Sequence, residues 1–188
     1  MSNFKLINPN PIDKQLLKTG LRKAKAEQVL SNRLNNITVV FENIYDPHNA
    51  MASLRSCEAF GIGNICFVFE KTPAFNPLKI GKKSSSSANK WLTYFMFESS
   101  ADCLLHLKNN DFINVATVVT NDSIQLPEFK KQKGKKYAVW FGNEKEGLSE
   151  YAVKKSDIRL SIPMNGFVQS LNLSVSVGII LYSLRYCK

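Results

Sequence analysis

Three stretches of the 188-residue chain carry more polar side chains than a turn needs: residues 43–49, 142–147 and 163–172. Each follows a run of β-branched or aromatic residues and contains proline or glycine, so each reads as a turn at the end of a strand. Arg55 follows the first turn, six residues beyond Asn49. Glu144 and Glu146 lie in the second. Asn165, Gln169, Ser170 and Asn172 lie in the third, with Ser174 just after it. A guanidinium can stabilise a developing oxyanion or grip a phosphate, and a carboxylate between two glycines at a strand end suits a site role better than a merely solvated one. A helix cap explains one of the third group, Ser170 or Asn172, but not all five. No Ser-His-Asp pattern, metal cluster or Cys-His pair competes with these turns. Gly81-Lys82-Lys83-Ser84 lacks the earlier glycine of a phosphate loop, because position 76 is Asn.

The elements that must position these turns alternate in type. Residues 1–12 contain Pro9 and Pro11 and read as a loose arm. Residues 13–34 read as a helix whose polar face holds Lys14, Lys18, Arg22, Lys23, Lys25 and Arg33. Strands are expected at 37–41, 64–69, 91–97, 112–119, 137–141 and 158–162. Helices are expected at 50–60, with Asn49 as N-cap and Gly61 as stop, at 101–107, near 149–155 and after 171. In the last helix Leu171, Val175 and Ile179 recur at helical spacing, joined by Leu173, Val177 and Leu184. This alternation predicts an α/β fold with a mainly parallel sheet flanked by helices. Parallel strands end on one edge, so the three turns can converge into one site.

The composition is that of a globular domain, with 44% hydrophobic and 21% charged residues. A formal net charge of +10 points to a polyanionic partner, most commonly nucleic acid. Lys79, Lys82, Lys83 and the lysines at 130, 131, 133, 135 and 136 could neutralise phosphates along with the N-terminal helix. Cys57, Cys66, Cys103 and Cys187 form no C-x-x-C pair, and only His48 and His106 are available beside them. The spacing suits no zinc site, and reduced, mostly buried thiols in a cytoplasmic protein are expected. The N-terminus has no apolar signal core. The run 171–186 is interrupted by polar residues and is too short to span a bilayer, so no membrane role is expected.

Asp46-Pro47-His48-Asn49 with Leu54-Arg55-Ser56, Gly142-Asn143-Glu144-Lys145-Glu146-Gly147, and Ile162-Pro163-Met164 with Gln169-Ser170-Leu171-Asn172 occur in that order. Over residues 36–185 they resemble motifs 1, 2 and 3 of the SpoU/TrmH RNA ribose methyltransferases, of the SPOUT superfamily. The resemblance implies a C-terminal third threaded into a deep trefoil knot, S-adenosylmethionine bound there, a homodimer, and methyl transfer to a ribose 2′-hydroxyl. It implies catalytic roles for Arg55, Asn49, Glu144, Ser170 and Asn172. Positions matching Thr117, Gly142, Ile162 and Leu171 would contact the cofactor, with Met164 adding apolar lining. The family assigns the position of Arg55 as base, although arginine chemistry favours charge stabilisation. Met51-Ala52 and Asn165-Gly166-Phe167 depart from the commonest family residues, and Ser84–Ser87 matches only loosely. Residues 1–35 form a short basic extension to a 36–188 methyltransferase domain. That shortness favours tRNA over rRNA as substrate. An rRNA enzyme or a non-catalytic RNA binder of the same fold are the alternatives.

Overall fold

The computed structural model describes residues 3–11, 21–80 and 88–187. Eight strands form one sheet: β1 (Lys5–Ile7), β2 (Ile37–Glu42), β3 (Asn64–Val68), β4 (Thr93–Phe97), β5 (Phe112–Thr117), β6 (Ile124–Gln125), β7 (Lys136–Phe141) and β8 (Ile158–Ser161). The helices are α1 (Leu21–Ser31), α2 (Pro47–Ala59), α3 (Ser100–Asn109), α4 (Glu150–Lys155) and α5 (Leu173–Tyr186). The strand order is β1-β4-β3-β2-β7-β5-β8-β6. Every pairing is parallel except that of β1 with β4. The α/β architecture read from the sequence is therefore present.

The central strands are apolar on both sides because helices cover both faces. Val39, Phe41, Ile65, Phe67 and Val139 pack on one face with Met51 and Leu54 of α2 and Val177, Ile180 and Leu184 of α5. Val40, Cys66, Ala138 and Trp140 pack on the other with Cys103 and Leu107 of α3 and Ala152 of α4. Burial pushes the Cys57 and Cys103 thiols up from their ordinary value, which suits inert core residues; Cys187 is exposed.

Four expectations are corrected. The N-terminal arm is not wholly loose: Lys5–Ile7 pairs antiparallel with Tyr94–Met96, and Asn8 Nδ2 donates to the Leu92 carbonyl at 2.8 Å. Of the expected helix at 13–34, residues 21–31 are helical; Lys14 and Lys18 lie outside the described residues. Asn49 is not the cap of α2. Asp46 accepts from the His48 N–H and Pro47 opens the helix, since proline's fixed φ suits a first turn whose N–H would be unpaired anyway. In α5 the core face is Leu173, Val177, Ile180, Leu181 and Leu184, while Val175 and Ile179 face outward.

Candidate active site

Strands β2 and β7 are neighbours, so the turns that leave their C-terminal ends meet. The chain after β2 is pinned first. Asn43 adopts φ 52°, a left-handed conformation that asparagine tolerates better than most residues, and its Oδ1 accepts from the N–H groups of Glu70 at 2.9 Å and Lys71 at 2.8 Å. The chain after β7 closes on itself. Asn143 and Gly147 exchange backbone hydrogen bonds of 2.9 and 2.8 Å. A Cβ on Gly142 would lie 2.1 Å from the Gly147 carbonyl carbon, so only glycine fits there. Gly147 completes the turn at φ 72°. Asn143 Nδ2 then donates to the Asn43 carbonyl at 2.7 Å and joins the two turns.

Glu42 reinforces this junction from beneath. It is 1% exposed, and it accepts from the Ser149 N–H and the Ser149 hydroxyl, each at 2.7 Å, and from the Ser100 hydroxyl. A buried carboxylate costs desolvation unless such donors meet it. Here one anion ties the end of β2 to the starts of α3 and α4. The sequence offered no sign of this role, because Glu42 and Ser149 are far apart in the chain.

Three of the residues singled out from sequence form one chain of hydrogen bonds. Glu144 accepts from the Tyr45 N–H at 3.1 Å and from Asn49 Nδ2 at 3.1 Å. Asn49 Oδ1 accepts from Asn172 Nδ2 at 3.3 Å. Asn172 is also the N-cap of α5 and accepts from the Ser174 N–H at 2.9 Å. All three polar turns are thus bridged by side chains.

Beside this cluster lies a cavity of about 250 Å3. Val118, Leu160, Ile162, Met164, Leu171 and Ile180 give it an apolar lining. Thr117, Gln169, Ser170 and Ser176 add hydroxyls and an amide. Thr117 also donates to the Trp140 carbonyl at 2.6 Å, which fixes its side chain against β7. Gly142 does not line the cavity; Gly147 and Leu148 of the same turn do. Arg55 stands apart from the cavity, exposed on α2, and no ion pair joins it to Glu58 among the described residues. A mostly apolar cavity with a few convergent polar groups suits a small ligand that has both apolar and hydrogen-bonding parts.

A cavity and a polar cluster among the strand-end turns of an α/β sheet lie where proteins of this class place their ligand sites. Comparison narrows the class. Residues 36–182 match the SpoU rRNA Methylase family, and the chain belongs to that family. The chain is similar to the tRNA (guanosine(18)-2′-O)-methyltransferase of Thermus thermophilus, with 35% identity over 167 residues that cover 88% of this chain and 82% of that protein. The enzyme of the same name from Borreliella burgdorferi is 32% identical, over 88% of this chain and 73% of that one. Among solved structures, the A. aeolicus TrmH/SpoU tRNA modifying enzyme superposes with a TM-score of 0.78 at 29% identity, covering 93% of this chain and 82% of its own. The AdoMet-bound rRNA methyltransferase of Sinorhizobium meliloti shares the fold, with a TM-score of 0.72 at 22% identity over 82% of this chain and 57% of its own.

Proposed function

We propose that this chain is an S-adenosylmethionine-dependent RNA methyltransferase that methylates a ribose 2′-hydroxyl in tRNA. The observation that carries this reading is the bridged cluster Glu144–Asn49–Asn172 beside an apolar cavity, in a member of this family. The relatives named for tRNA 2′-O-methylation, which match most of the chain, favour tRNA over rRNA. The cytoplasm is the compartment that such a substrate implies.

The lining of the cavity fits the cofactor: apolar side chains for the adenine and the carbon chain on either side of the sulfur, and hydroxyls, an amide and strand-end backbone for its polar groups. When bound, S-adenosylmethionine supplies a methyl group on a positively charged sulfur. Thr117, Ile162, Met164 and Leu171 would hold it, with Ser170 at the rim and Gly142 shaping the turn that bears Gly147 and Leu148. A 2′-hydroxyl is a weak nucleophile, and its oxygen gains negative charge as its proton leaves. Arg55, exposed on α2, would meet that developing charge and the neighbouring phosphate with a planar cation once the RNA is bound, which lysine does not reproduce. Glu144 spends both oxygens on Tyr45 and Asn49, so it acts as a positioning residue, and Asn172 holds Asn49 from the other side.

The path of the C-terminal half supports a knotted chain. β6 lies outside β8, and the chain beyond it reaches α5, where Lys131 donates to the Leu184 carbonyl, before it enters β7 on the far side of β5. The chain before β7 and the segment leading from β8 thus both reach the α5 face of the sheet, while α4 lies on the other, an arrangement that a threaded chain would produce. A homodimer is supported by Val175, Ile179, Tyr182 and Tyr186, an exposed apolar stripe along α5. Gly178 of the same helix faces Ser56 of α2, so α5 packs directly on the helix that bears Arg55. RNA binding draws on the basic surplus. Lys130, Lys133 and Lys135 are exposed, whereas Lys131 and Lys136 donate to backbone carbonyls and Arg33 donates to the Trp91 carbonyl at 2.7 Å. Lys82 and Lys83 lie outside the described residues.

The test is mass-spectrometric mapping of ribose methylation on tRNA and rRNA, with Arg55→Ala as the control. Loss of one charge-stabilising donor typically costs on the order of 100-fold or more in turnover, with cofactor affinity retained. Near-normal turnover in Arg55→Ala would overturn the assigned role, and methyl groups found only on rRNA would overturn the choice of substrate.

A further inference from the structure

Tyr45 stands on the first turn with 68% of its surface exposed, although the chain on either side of it is fixed. Asn43 is tied to residues 70 and 71, Ile44 is buried, and Asp46 caps α2. Its own N–H donates to Glu144, in the bridged cluster. The backbone beneath the ring is thus rigid, and the ring itself projects from it. Lys145, on the facing turn, places its Nζ 5.2 Å from the ring centroid, and its N–H donates to Asn143 Oδ1 at 2.8 Å. One face of the ring meets a cation and the exposure leaves the other open.

Neither residue contributes to the core or to the cofactor cavity. An aromatic side chain on a fixed backbone offers a flat surface and loses little entropy when something stacks on it. The partner that such a pair suits best is a nucleotide, whose base stacks on a ring and whose phosphate attracts an ammonium. Resting on the function proposed above, we infer that Tyr45 and Lys145 form a nucleobase subsite. It takes an unstacked base of the RNA strand within one nucleotide of the reacting ribose, and Lys145 meets the adjoining phosphate. Because every base has a π face, the subsite positions the strand and does not read its sequence.

The experiment compares wild type, Tyr45→Ala, Tyr45→Trp and Lys145→Ala, with steady-state methylation of tRNA and calorimetric titration of S-adenosylmethionine. Tyr45→Ala is expected to raise KM for tRNA about tenfold, in line with the loss of one stacked base, and to leave cofactor affinity unchanged. Tyr45→Trp restores KM, because the indole keeps the flat face. Lys145→Ala raises KM less, and its effect fades as salt is added. A 2-aminopurine placed at the methylated nucleotide or either neighbour is quenched by wild type and not by Tyr45→Ala. An unchanged KM in Tyr45→Ala, a Tyr45→Trp variant as weak as Tyr45→Ala, or no quenching at any of the three positions overturns the subsite. If wild type methylates no RNA, the function proposed above fails instead. Fluorescence anisotropy of tRNA binding then still separates wild type from Tyr45→Ala, and equal affinities there overturn the subsite.

Discussion

The turns after β2 and β7 are stitched to each other and to the sheet, whereas the segment after β8 is held mainly where it ends. Asn43, Asn143, Glu144 and Glu42 each accept or donate across the first two turns. Among the described residues, no hydrogen bond engages positions 163–171; the bonds resume at Asn172. Phe167 is fully exposed and Val168 largely so. The difference separates two tasks on one sheet edge. In the function proposed above, the groups that hold charge in place would sit on cross-tied backbone, where reorganisation would cost rate. The wall that would admit the cofactor sits on a segment with few internal ties, which could settle around what it binds.

Four outcomes would break or sharpen this contrast. Gly142→Ala is expected to be the most severe, destabilising the fold by about 3 kcal/mol or more, because the new methyl meets backbone and not a flexible side chain. Thermal unfolding would measure it, and a normal melting temperature would show that the second turn can shift. Glu42→Gln keeps the shape but gives the Ser149 N–H an amide that must both donate and accept. A loss of about 2 kcal/mol follows, or roughly 4–8 °C in Tm for a chain of this length. Phe167→Ser should change stability by less than about 0.5 kcal/mol, as expected for an exposed position. Hydrogen exchange at 163–171 should slow when S-adenosylmethionine is added. Exchange that is already slow without it would mean the third segment is as rigid as the others.

The smallest effect is a dependence on pH. His106 packs against the rings of Phe4, Phe95 and Phe97, and burial lowers its pKa from the ordinary value of 6.5. The unfolded chain therefore takes up this proton more readily than the folded one, and stability declines as pH falls below about 6.5. His106→Phe should flatten that decline in a series of melting curves, and an unchanged slope would assign it to other groups.

The regular elements were legible where periodicity is strong. Strands 37–41 and 137–141 are runs of β-branched and aromatic residues, and they form the centre of the sheet. The functional turns were legible through their polar excess and motif resemblance, and Glu144, Asn49 and Asn172 do meet. What could not be read depends on contacts between distant parts of the chain. Lys5–Ile7 is strand because β4 lies beside it, not because three residues carry a signal. The role of Glu42 carries no signal of its own, because it depends on Ser149, far away in the chain, lying against it. Asp46-Pro47 is itself a helix-start signal, and the cap of α2 falls there and not at Asn49. The outward stripe of α5 has the same spacing as the inward one, so periodicity alone could not say which faced the core.

The margins of the sheet have a consequence for how copies of this chain meet in solution. The outermost strands, β1 and β6, are three and two residues long. Long bare edges invite pairing with strands of other molecules, the first step toward aggregates. Ends this brief offer almost no template, so the open eight-stranded sheet presents little edge to a neighbouring molecule. Strand addition from one copy to the next is thereby disfavoured, and the homodimer proposed above would have to form through helix surfaces instead.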